Sequence, residues 1–101
     1  MALQILTKKK FINGMKKISL YLNQEWNLSV AKEFNKIVDT KIILITKQPN
    51  IGFNTAVKNT KSVLVGKGYQ NKIYYRVEGN KLIIIDIKDV RTNPKRNRYN
   101  Q

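Results

Sequence analysis

The sequence predicts an α+β domain in which an N-terminal strand and an antiparallel helical hairpin pack on a small, mainly antiparallel sheet. Three observations lead to this fold class. Apolar residues recur at helical spacing through the first half of the chain, in two stretches joined by only a few residues. The second half contains an alternating strand, a tight Glu-Gly-Asn turn at 78–80 and an apolar strand. A basic tail follows from Arg91 onward.

The helical half opens with a short apolar run at residues 3–6, which predicts an edge or terminal strand. Thr7 is a suitable N-cap for the first helix. Gly14 inside this helix indicates either close packing or a weak helix, because glycine costs roughly 1 kcal/mol relative to alanine. Trp26 follows the end of the helix, and we expect it to be buried between the two helices, with a place in an interface as the alternative. The apolar positions of this helix are Phe11, Met15, Ile18 and Leu22.

The second helix has a start signal and a stop signal. Asn27 is a good N-cap, with Ser29 as the alternative. Pro49 ends the helix because proline restricts the residue before it and has no backbone N–H to donate. Residues 49–52 then form a turn. The apolar positions of the helix are Val30, Phe34, Ile37, Val38, Ile42 and Ile45.

Three further strands complete the sheet. Residues 61–65 form a short strand, and a glycine-containing loop at 66–71 leads to the alternating strand. Residues 82–87 are apolar on both faces until Asp86, which predicts a strand covered on both sides. Residues 53–59 show no pattern that indicates a conformation. The alternating strand directs Ile73, Tyr75 and Val77 to one face and Lys72, Tyr74, Arg76 and Glu78 to the other.

The length of 101 residues predicts one domain, at 1–91, with a basic tail at 92–101. Twenty Lys and Arg residues stand against six Asp and Glu residues, which gives a formal net charge of +14. Such an excess indicates an anionic partner: nucleic acid, the ribosome, a membrane surface or an acidic protein. The alternative is a generic solvated lysine surface.

The residue types that are missing restrict the chemistry. The chain has no Cys and no His, so it has no disulfide framework, no thiol nucleophile and no imidazole base. Asp86 and Asp89 are only two carboxylates among many cations, and we therefore predict no metal and no cofactor. No apolar run is long enough to span a bilayer, and the N-terminus lacks a signal-peptide pattern. We expect a soluble, cytoplasmic protein that does not bind a membrane.

The order and spacing of these elements resemble the RelE/ParE superfamily of toxins from type II toxin–antitoxin systems, over nearly the whole chain. Lys10 departs from the pattern, since many members have alanine there. The resemblance is carried by Thr7, Tyr21, Leu22, Glu25, Trp26, Ala31 and Phe34, and by the segments 49–52, 73–76, 82–87 and 89–91.

This superfamily contains two mechanisms, and the resemblance leaves both open. RelE-like members enter the ribosomal A site and cleave mRNA, whereas ParE-like members inhibit DNA gyrase and cleave nothing. Either mechanism implies a cognate antitoxin, which we expect to be an acidic segment that folds over the helices and the basic sheet face. The partners to test are therefore the antitoxin, the ribosome with its mRNA, and gyrase. A third hypothesis, from another class, is a basic nucleic-acid-binding module without toxicity.

RNA cleavage through the 2′-hydroxyl needs a base, a group that stabilises the charge on the phosphate, and help for the leaving 5′-oxygen. The resemblance places Lys72 at a strand arginine of RelE-like enzymes, Arg91 at their basic residue after the last strand, and Tyr99 at their C-terminal tyrosine. Those enzymes also carry a lysine pair on the preceding strand, for which only Lys61 or Lys67 is available here. We take Lys72, Arg91, Tyr99 and Lys61 as the candidate catalytic residues.

A second group of residues is expected to bind nucleic acid. Tyr74 shares a face with strand cations and is a candidate for stacking on a base. The group comprises Tyr74, Arg76, Lys67, Lys88, Lys95, Arg96 and Arg98. Alternatives stay open for several candidates: Lys72 and Arg76 as structural strand cations, Arg91 as a partner of Asp89 or Asp86, and Tyr99 as a bystander in the tail.

Overall fold

The computed structural model describes residues 3–66, 71–90 and 99. They form one five-stranded sheet in the order β1-β5-β4-β3-β2, with β1 parallel to β5 and all other neighbours antiparallel. Two antiparallel helices cover one face, which confirms the predicted α+β class. The elements are β1 (Gln4–Thr7), α1 (Lys9–Glu25), α2 (Leu28–Lys47), β2 (Phe53–Asn54), β3 (Lys61–Val65), β4 (Asn71–Glu78) and β5 (Lys81–Asp89).

The junction between β1 and α1 differs from the sequence prediction. Thr7 is the last residue of β1, paired with Ile84, and the N-cap of α1 is Lys8, which makes no side-chain capping hydrogen bond. The Lys8 N–H donates to the Ile84 carbonyl at 2.8 Å. The parallel ladder therefore holds the chain extended through Thr7, and the predicted Thr7 cap was wrong because pairing with β5 prevails over capping at this position.

Helix α2 begins and ends where the sequence predicts. Asn27 Oδ1 accepts a hydrogen bond from the Val30 N–H at 2.9 Å, and the helix stops at Lys47, just before Pro49. Trp26 is different. It is the C-cap of α1 and is 70% exposed, so the prediction that it is buried between the helices was wrong. The chain turns at this residue, and the indole lines a groove together with Leu22 and Val30.

Gly14 is the point of closest approach between α1 and the sheet. A Cβ atom at this position would lie 2.8 Å from Ile87 Cγ2 and 3.3 Å from the Ile87 carbonyl oxygen. Such distances are too short for real Cβ contacts, so glycine lets α1 sit directly on β5. Of the two interpretations of this residue, close packing is the one that the structure shows.

The hydrophobic core lies between the helices and one face of the sheet. Strand β5 is buried along both of its faces, as predicted, since Leu82, Ile83 and Ile84 are all buried. Its ladder with β4 carries an irregularity: Tyr74 pairs with Asp86, but Tyr75 pairs with Ile84. The core cluster consists of Phe11, Phe34, Val38, Ile42, Ile45, Val65, Ile73, Tyr75, Leu82, Ile84 and Ile87.

Tyr75 fixes the turn after α2 to the middle of the sheet. Its hydroxyl donates to the Pro49 carbonyl at 2.8 Å and accepts from the Gly52 N–H at 3.0 Å. A Cβ atom on Gly52 would lie 2.5 Å from that hydroxyl and 2.9 Å from the Ser62 carbonyl oxygen. Glycine is therefore required where the turn meets Tyr75.

Of the described helices, none is long and apolar enough to cross a membrane.

We predict that Tyr75→Phe lowers the free energy of unfolding by about 1–3 kcal/mol at neutral pH, because it leaves the Pro49 carbonyl and the Gly52 N–H without their buried partner. Burial raises the pKa of the Tyr75 hydroxyl above its usual 10.0, and the hydrogen bond from Gly52 opposes part of that rise. A raised folded-state pKa stabilises the fold fully below pH 10 and loses this effect as the pH rises through the raised pKa.

The stability difference between wild type and Tyr75→Phe should therefore be constant up to pH 10 and shrink above it. Urea unfolding at neutral pH and above pH 10 measures this difference. Tyr21→Phe is the matched control, because Tyr21 is exposed and should give no difference at either pH. If the stability difference between wild type and Tyr75→Phe stayed the same across this pH range, it would contradict a raised pKa of the Tyr75 hydroxyl in the folded protein.

Candidate nucleic-acid interface

The sheet has a second face, opposite the helices, which we call the open face. Directly paired residues of antiparallel strands share a face, so the registers identify its members. Lys72 pairs with Lys88, Tyr74 with Asp86, and Ser62 of β3 with Tyr74. The ladder irregularity after Tyr74 places Asp86 on this face while Ile87 and Ile84 both reach the core.

Two lysines stand directly opposite each other on the open face. Lys72 and Lys88 are Cα partners in the β4–β5 ladder, and like charges in such positions destabilise a sheet. Lys88 Nζ lies 3.9 Å from Asp86 Oδ2, where the Lys88 side chain is 29% exposed. Asp86 therefore offsets part of the repulsion, and the two ammonium groups together leave an excess of positive charge at this end of the face.

Arg76 lies further along the same face of β4. Its Nε is 2.9 Å from Glu78 Oε1, but this N–H makes no hydrogen bond to any described residue, so the contact is an ion pair alone. Both side chains are substantially exposed, and such pairs contribute little to stability. Arg76 therefore remains a cation that can bind a phosphate at little expense to the fold.

The centre of the open face is closed by two stacked tyrosines. The rings of Tyr74 and Tyr99 have centroids 3.8 Å apart and planes inclined by 14°, and only 1% of Tyr74 and 4% of Tyr99 is exposed. The Tyr99 carbonyl accepts a hydrogen bond from the Ala56 N–H at 2.9 Å. The stack covers Tyr74, and it places Tyr99, for which a bystander role in the tail was left open, against the sheet.

Asp86 is the acidic group beneath this stack. Its Oδ1 accepts the Ile87 N–H at 2.8 Å, and its Oδ2 accepts the Tyr99 hydroxyl at 3.4 Å. The residue is buried. From the sequence, Asp86 was weighed as an ion-pair partner of Arg91 and as one of two carboxylates that do not suffice for a metal site. The available signal was a single acid within an otherwise apolar strand, which indicates that its charge has a defined partner.

The remaining candidates divide between the other face and the chain that the structure does not describe. Lys61 pairs with Tyr75, whose ring is in the core, so its register position is on the helix side of the sheet, and Lys61 Nζ donates to Asn54 Oδ1 at 3.0 Å. The structure thus brings Lys72, Lys88, Arg76, Tyr74 and Tyr99 to one face but separates Lys61 from them. Outside the described residues lie Lys67, Arg91, Lys95, Arg96 and Arg98.

Comparisons with known proteins concern the fold. No protein-family model and no curated protein matches the sequence. A solved structure described as the chromosomal ParDE TA system from P. aeruginosa matches with a TM-score of 0.76 and 13% sequence identity, covering 88% of this chain and 97% of that chain. At this identity the likeness shows the fold, and it confirms the resemblance to the RelE/ParE type at that level.

We predict that Tyr99→Ala lowers the free energy of unfolding by roughly 3–5 kcal/mol, because it truncates a buried aromatic side chain that stacks on Tyr74. The Ala56 amide should exchange with solvent faster, because the Tyr99 ring no longer holds in place the backbone carbonyl of residue 99, which accepts this N–H. Hydrogen exchange and urea unfolding measure both effects. Tyr21→Ala, at an exposed tyrosine on α1, should change neither. Unaltered Ala56 exchange in Tyr99→Ala would show that Tyr99 does not hold this loop.

Proposed function

We propose that the chain is the toxin of a type II toxin–antitoxin system and that it cleaves mRNA on the ribosome through the open face. The observation that carries the proposal is the opposed pair Lys72 and Lys88 on a fold of RelE/ParE type. The solved structure with this fold is itself described as a ParDE TA system.

The lysine pair favours a phosphate partner on physical grounds. Two ammonium groups on directly opposed strand positions repel each other, and a phosphate between them converts this repulsion into two charge-assisted contacts. Arg76 lies on the same face, so successive phosphates of a single strand have cations along the sheet. The net charge of +14 draws an RNA to the protein from a distance.

Cleavage through the 2′-hydroxyl forms a bond from the 2′-oxygen to phosphorus and breaks the bond from phosphorus to the 5′-oxygen; water takes the proton of the 2′-hydroxyl, and water returns a proton to the leaving 5′-oxygen. In this proposal Lys72 and Lys88 stabilise the charge that develops on the phosphate. Arg91 and Tyr99 remain candidate catalytic residues through the resemblance alone. Tyr99 must then leave its stacked position on Tyr74 before it touches RNA.

The proposal predicts growth arrest when the chain is expressed alone in a bacterium, with mRNA cut at in-frame positions. A Lys72→Ala, Lys88→Ala variant should lose cleavage by about tenfold to a hundredfold or more, because each lost phosphate contact in a transition state is worth about 1.4 kcal/mol or more. Lys32→Ala, Lys36→Ala removes the same charge from exposed positions of α2 and should leave cleavage unchanged. Equal cleavage by both double variants would remove the site assignment.

Gyrase inhibition is the second candidate, and the position of Lys61 favours it, because Lys61 lies on the helix side of the sheet and does not join the cations of the open face. Plasmid topology from the same culture separates the two functions. Arrest with intact mRNA and relaxed or broken plasmid supports gyrase as the target, and inhibition of supercoiling by purified protein and gyrase then tests it directly. A chain that binds nucleic acid without arresting growth is the basic binding module of the third hypothesis.

An antitoxin partner is part of the proposal. The outer side of the helical hairpin has a groove of 720 Å³ between α1 and α2. Ile12, Leu20 and Leu28 line it and are exposed. An acidic amphipathic segment would cover these side chains and neutralise the lysines beside them.

We expect the complex with the protein encoded by the adjacent open reading frame to melt at a higher temperature than the free chain, because a ligand that binds only the folded state stabilises it. Leu20→Glu should weaken this shift, since it places a like charge against an acidic partner. Ile43→Glu is the control, at an exposed apolar position of α2 that does not line the groove. Equal melting temperatures with and without the neighbour would count against this partner.

A further inference from the structure

One corner of the sheet has a strand on only one side. Strand β4 pairs with β5 as far as Glu78, whereas β3 begins at Lys61, which pairs with Tyr75. Among the described strands, none pairs with the other edge of residues 76–78. The loop at 55–60 closes this corner and leaves a pocket of 670 Å³ between the loop, the ends of the strands and the turn after α2.

The loop that forms the rim of this pocket is held by hydrogen bonds within itself. The Thr55 N–H donates to the Thr60 carbonyl at 3.1 Å, and the Thr60 N–H donates to the Val57 carbonyl at 3.2 Å. The Thr55 hydroxyl donates to the Thr60 carbonyl at 3.0 Å and accepts from the Val57 N–H at 3.1 Å. The rim is therefore pre-formed, and a ligand can bind with little reordering of the loop.

Three cations line the pocket. Lys61 Nζ donates to Asn54 Oδ1 at 3.0 Å, which orients the ammonium group and leaves two of its three N–H donors for a ligand. Arg76 contacts Glu78 through Nε, and its guanidinium has four further N–H donors. The third cation is Lys58, in the loop. Glu78 is the one acid among the described lining residues, so positive charge exceeds negative charge around the pocket.

The other lining groups fit a phosphate and its sugar better than a base. Asn50, Asn54 and Asn59 add amide groups to the three cations. Tyr75 is the one aromatic residue among the described lining residues, and its ring belongs to the core, so it offers no platform on which a base could stack. Contacts with phosphate and sugar position a nucleic acid without reading its sequence.

We propose that this pocket, which we call the corner pocket, binds a backbone phosphate of single-stranded RNA through Lys58, Lys61 and Arg76. Because the pocket lies where β3 begins, Lys61 reaches it from the helix side of the sheet and Arg76 from the open face. Lys61 then binds RNA and takes no part in cleavage, although the resemblance made it a catalytic candidate. The inference rests on the proposed function only in taking RNA as the source of the phosphate.

The position of the corner pocket favours RNA over an acidic segment of a protein. Arg76 and Lys72 lie on the same face of β4, about 13 Å apart along the strand, and Lys88 is the direct neighbour of Lys72. A single RNA strand can therefore place one phosphate between the two lysines and another in the corner pocket. The phosphate in the pocket is well separated from the one that would react.

The first experiment measures the binding of the purified chain to fluorescein-labelled, single-stranded uridine RNA over a range of salt concentrations. Lys58→Ala, Lys61→Ala should weaken binding on the order of tenfold and reduce the salt slope by about 0.7, the value for one phosphate of a single strand. Adenosine RNA should show the same loss, because the pocket does not read the base. Lys32→Ala, Lys36→Ala removes the same charge from α2 and should weaken binding much less. Equal affinities of the two double variants would overturn the proposal.

Asn54→Ala separates a defined binding site from the effect of net charge. It removes the acceptor that orients the Lys61 ammonium group and leaves the charge of the chain unchanged. We expect RNA binding to weaken about threefold. Asn23→Ala, at an exposed position of α1, is the neutral control and should bind RNA as wild type does. If Asn54→Ala also bound RNA like wild type, the lysines would act only as diffuse charge and the corner pocket would be refuted.

Two competition measurements identify the source of the anion. Displacement of the labelled RNA only by millimolar UMP supports an RNA backbone, whereas displacement by micromolar UMP makes the pocket a site for a free nucleotide and overturns the assignment to RNA. The protein encoded by the adjacent open reading frame tests an acidic partner. If Lys58→Ala, Lys61→Ala weakened binding of that protein but not of RNA, the pocket would belong to a protein interface and the proposal would be wrong.

Cleavage kinetics on programmed ribosomes test whether Lys61 binds RNA or takes part in the reaction. Lys58→Ala, Lys61→Ala should raise KM and leave kcat unchanged, because a contact far from the reacting phosphate is equally strong before and during the reaction. A lower kcat with an unchanged KM would make Lys61 catalytic and contradict the proposal.

The binding assay contains no ribosome and no living cell, so its failure is separate from failure of the proposed function. Growth arrest by a chain whose RNA binding does not depend on Lys58 and Lys61 contradicts the corner pocket alone. RNA binding that depends on these lysines, without growth arrest, contradicts the toxin alone.

Discussion

The β4–β5 ladder is the constraint on which the rest of the structure depends. These two strands form the centre of the sheet, and their single irregularity, between Tyr74 and Tyr75, decides which side chains face the helices. In an uninterrupted ladder, Asp86 would share a face with Ile84, because side chains two apart on a strand point the same way. The extra residue, Ile85, lets Ile84 and Ile87 both enter the core and leaves Asp86 on the open face. The same shift in register therefore determines which side chains form the core and which form the candidate site.

The two faces of the sheet differ in chemical character. The helix side is an apolar core, closed by the approach of α1 at Gly14 and by the Tyr75 hydroxyl at the turn after α2. Among the described residues, the open side gathers cations around one buried carboxylate, that of Asp86. The helix side thus supplies the main apolar core, while the cations of the open side carry charge repulsion that a partner can relieve. This division explains how a small domain with a net charge of +14 can hold a single structure.

Signals between neighbouring residues predicted the helices and strands well. The features that these signals did not predict depend on tertiary contacts. The Asn27 cap, the stop before Pro49 and the alternation along β4 each depend on neighbouring residues, which the sequence displays. Thr7 failed as a cap because a strand from the far end of the chain pairs with it, and Trp26 was misplaced because spacing does not reveal which way a helix junction turns. The face of Lys61 and the cover over Tyr74 depend on register and on a distant tail residue, so no local pattern could indicate them.

The parallel pairing of β1 with β5 also sets an order of assembly. Gln4 pairs with Lys81, so closing this edge requires the two ends of the domain to meet, whereas the β4–β5 hairpin closes through the two residues Gly79 and Asn80. Local hairpins and helices form faster than contacts of such wide sequence separation. The N-terminal strand is thus expected to dock late in folding. Until β1 docks, the backbone N–H and C=O groups along the outer edge of β5 are unpaired. At that stage of folding, a strand from another molecule could pair with β5 in place of β1.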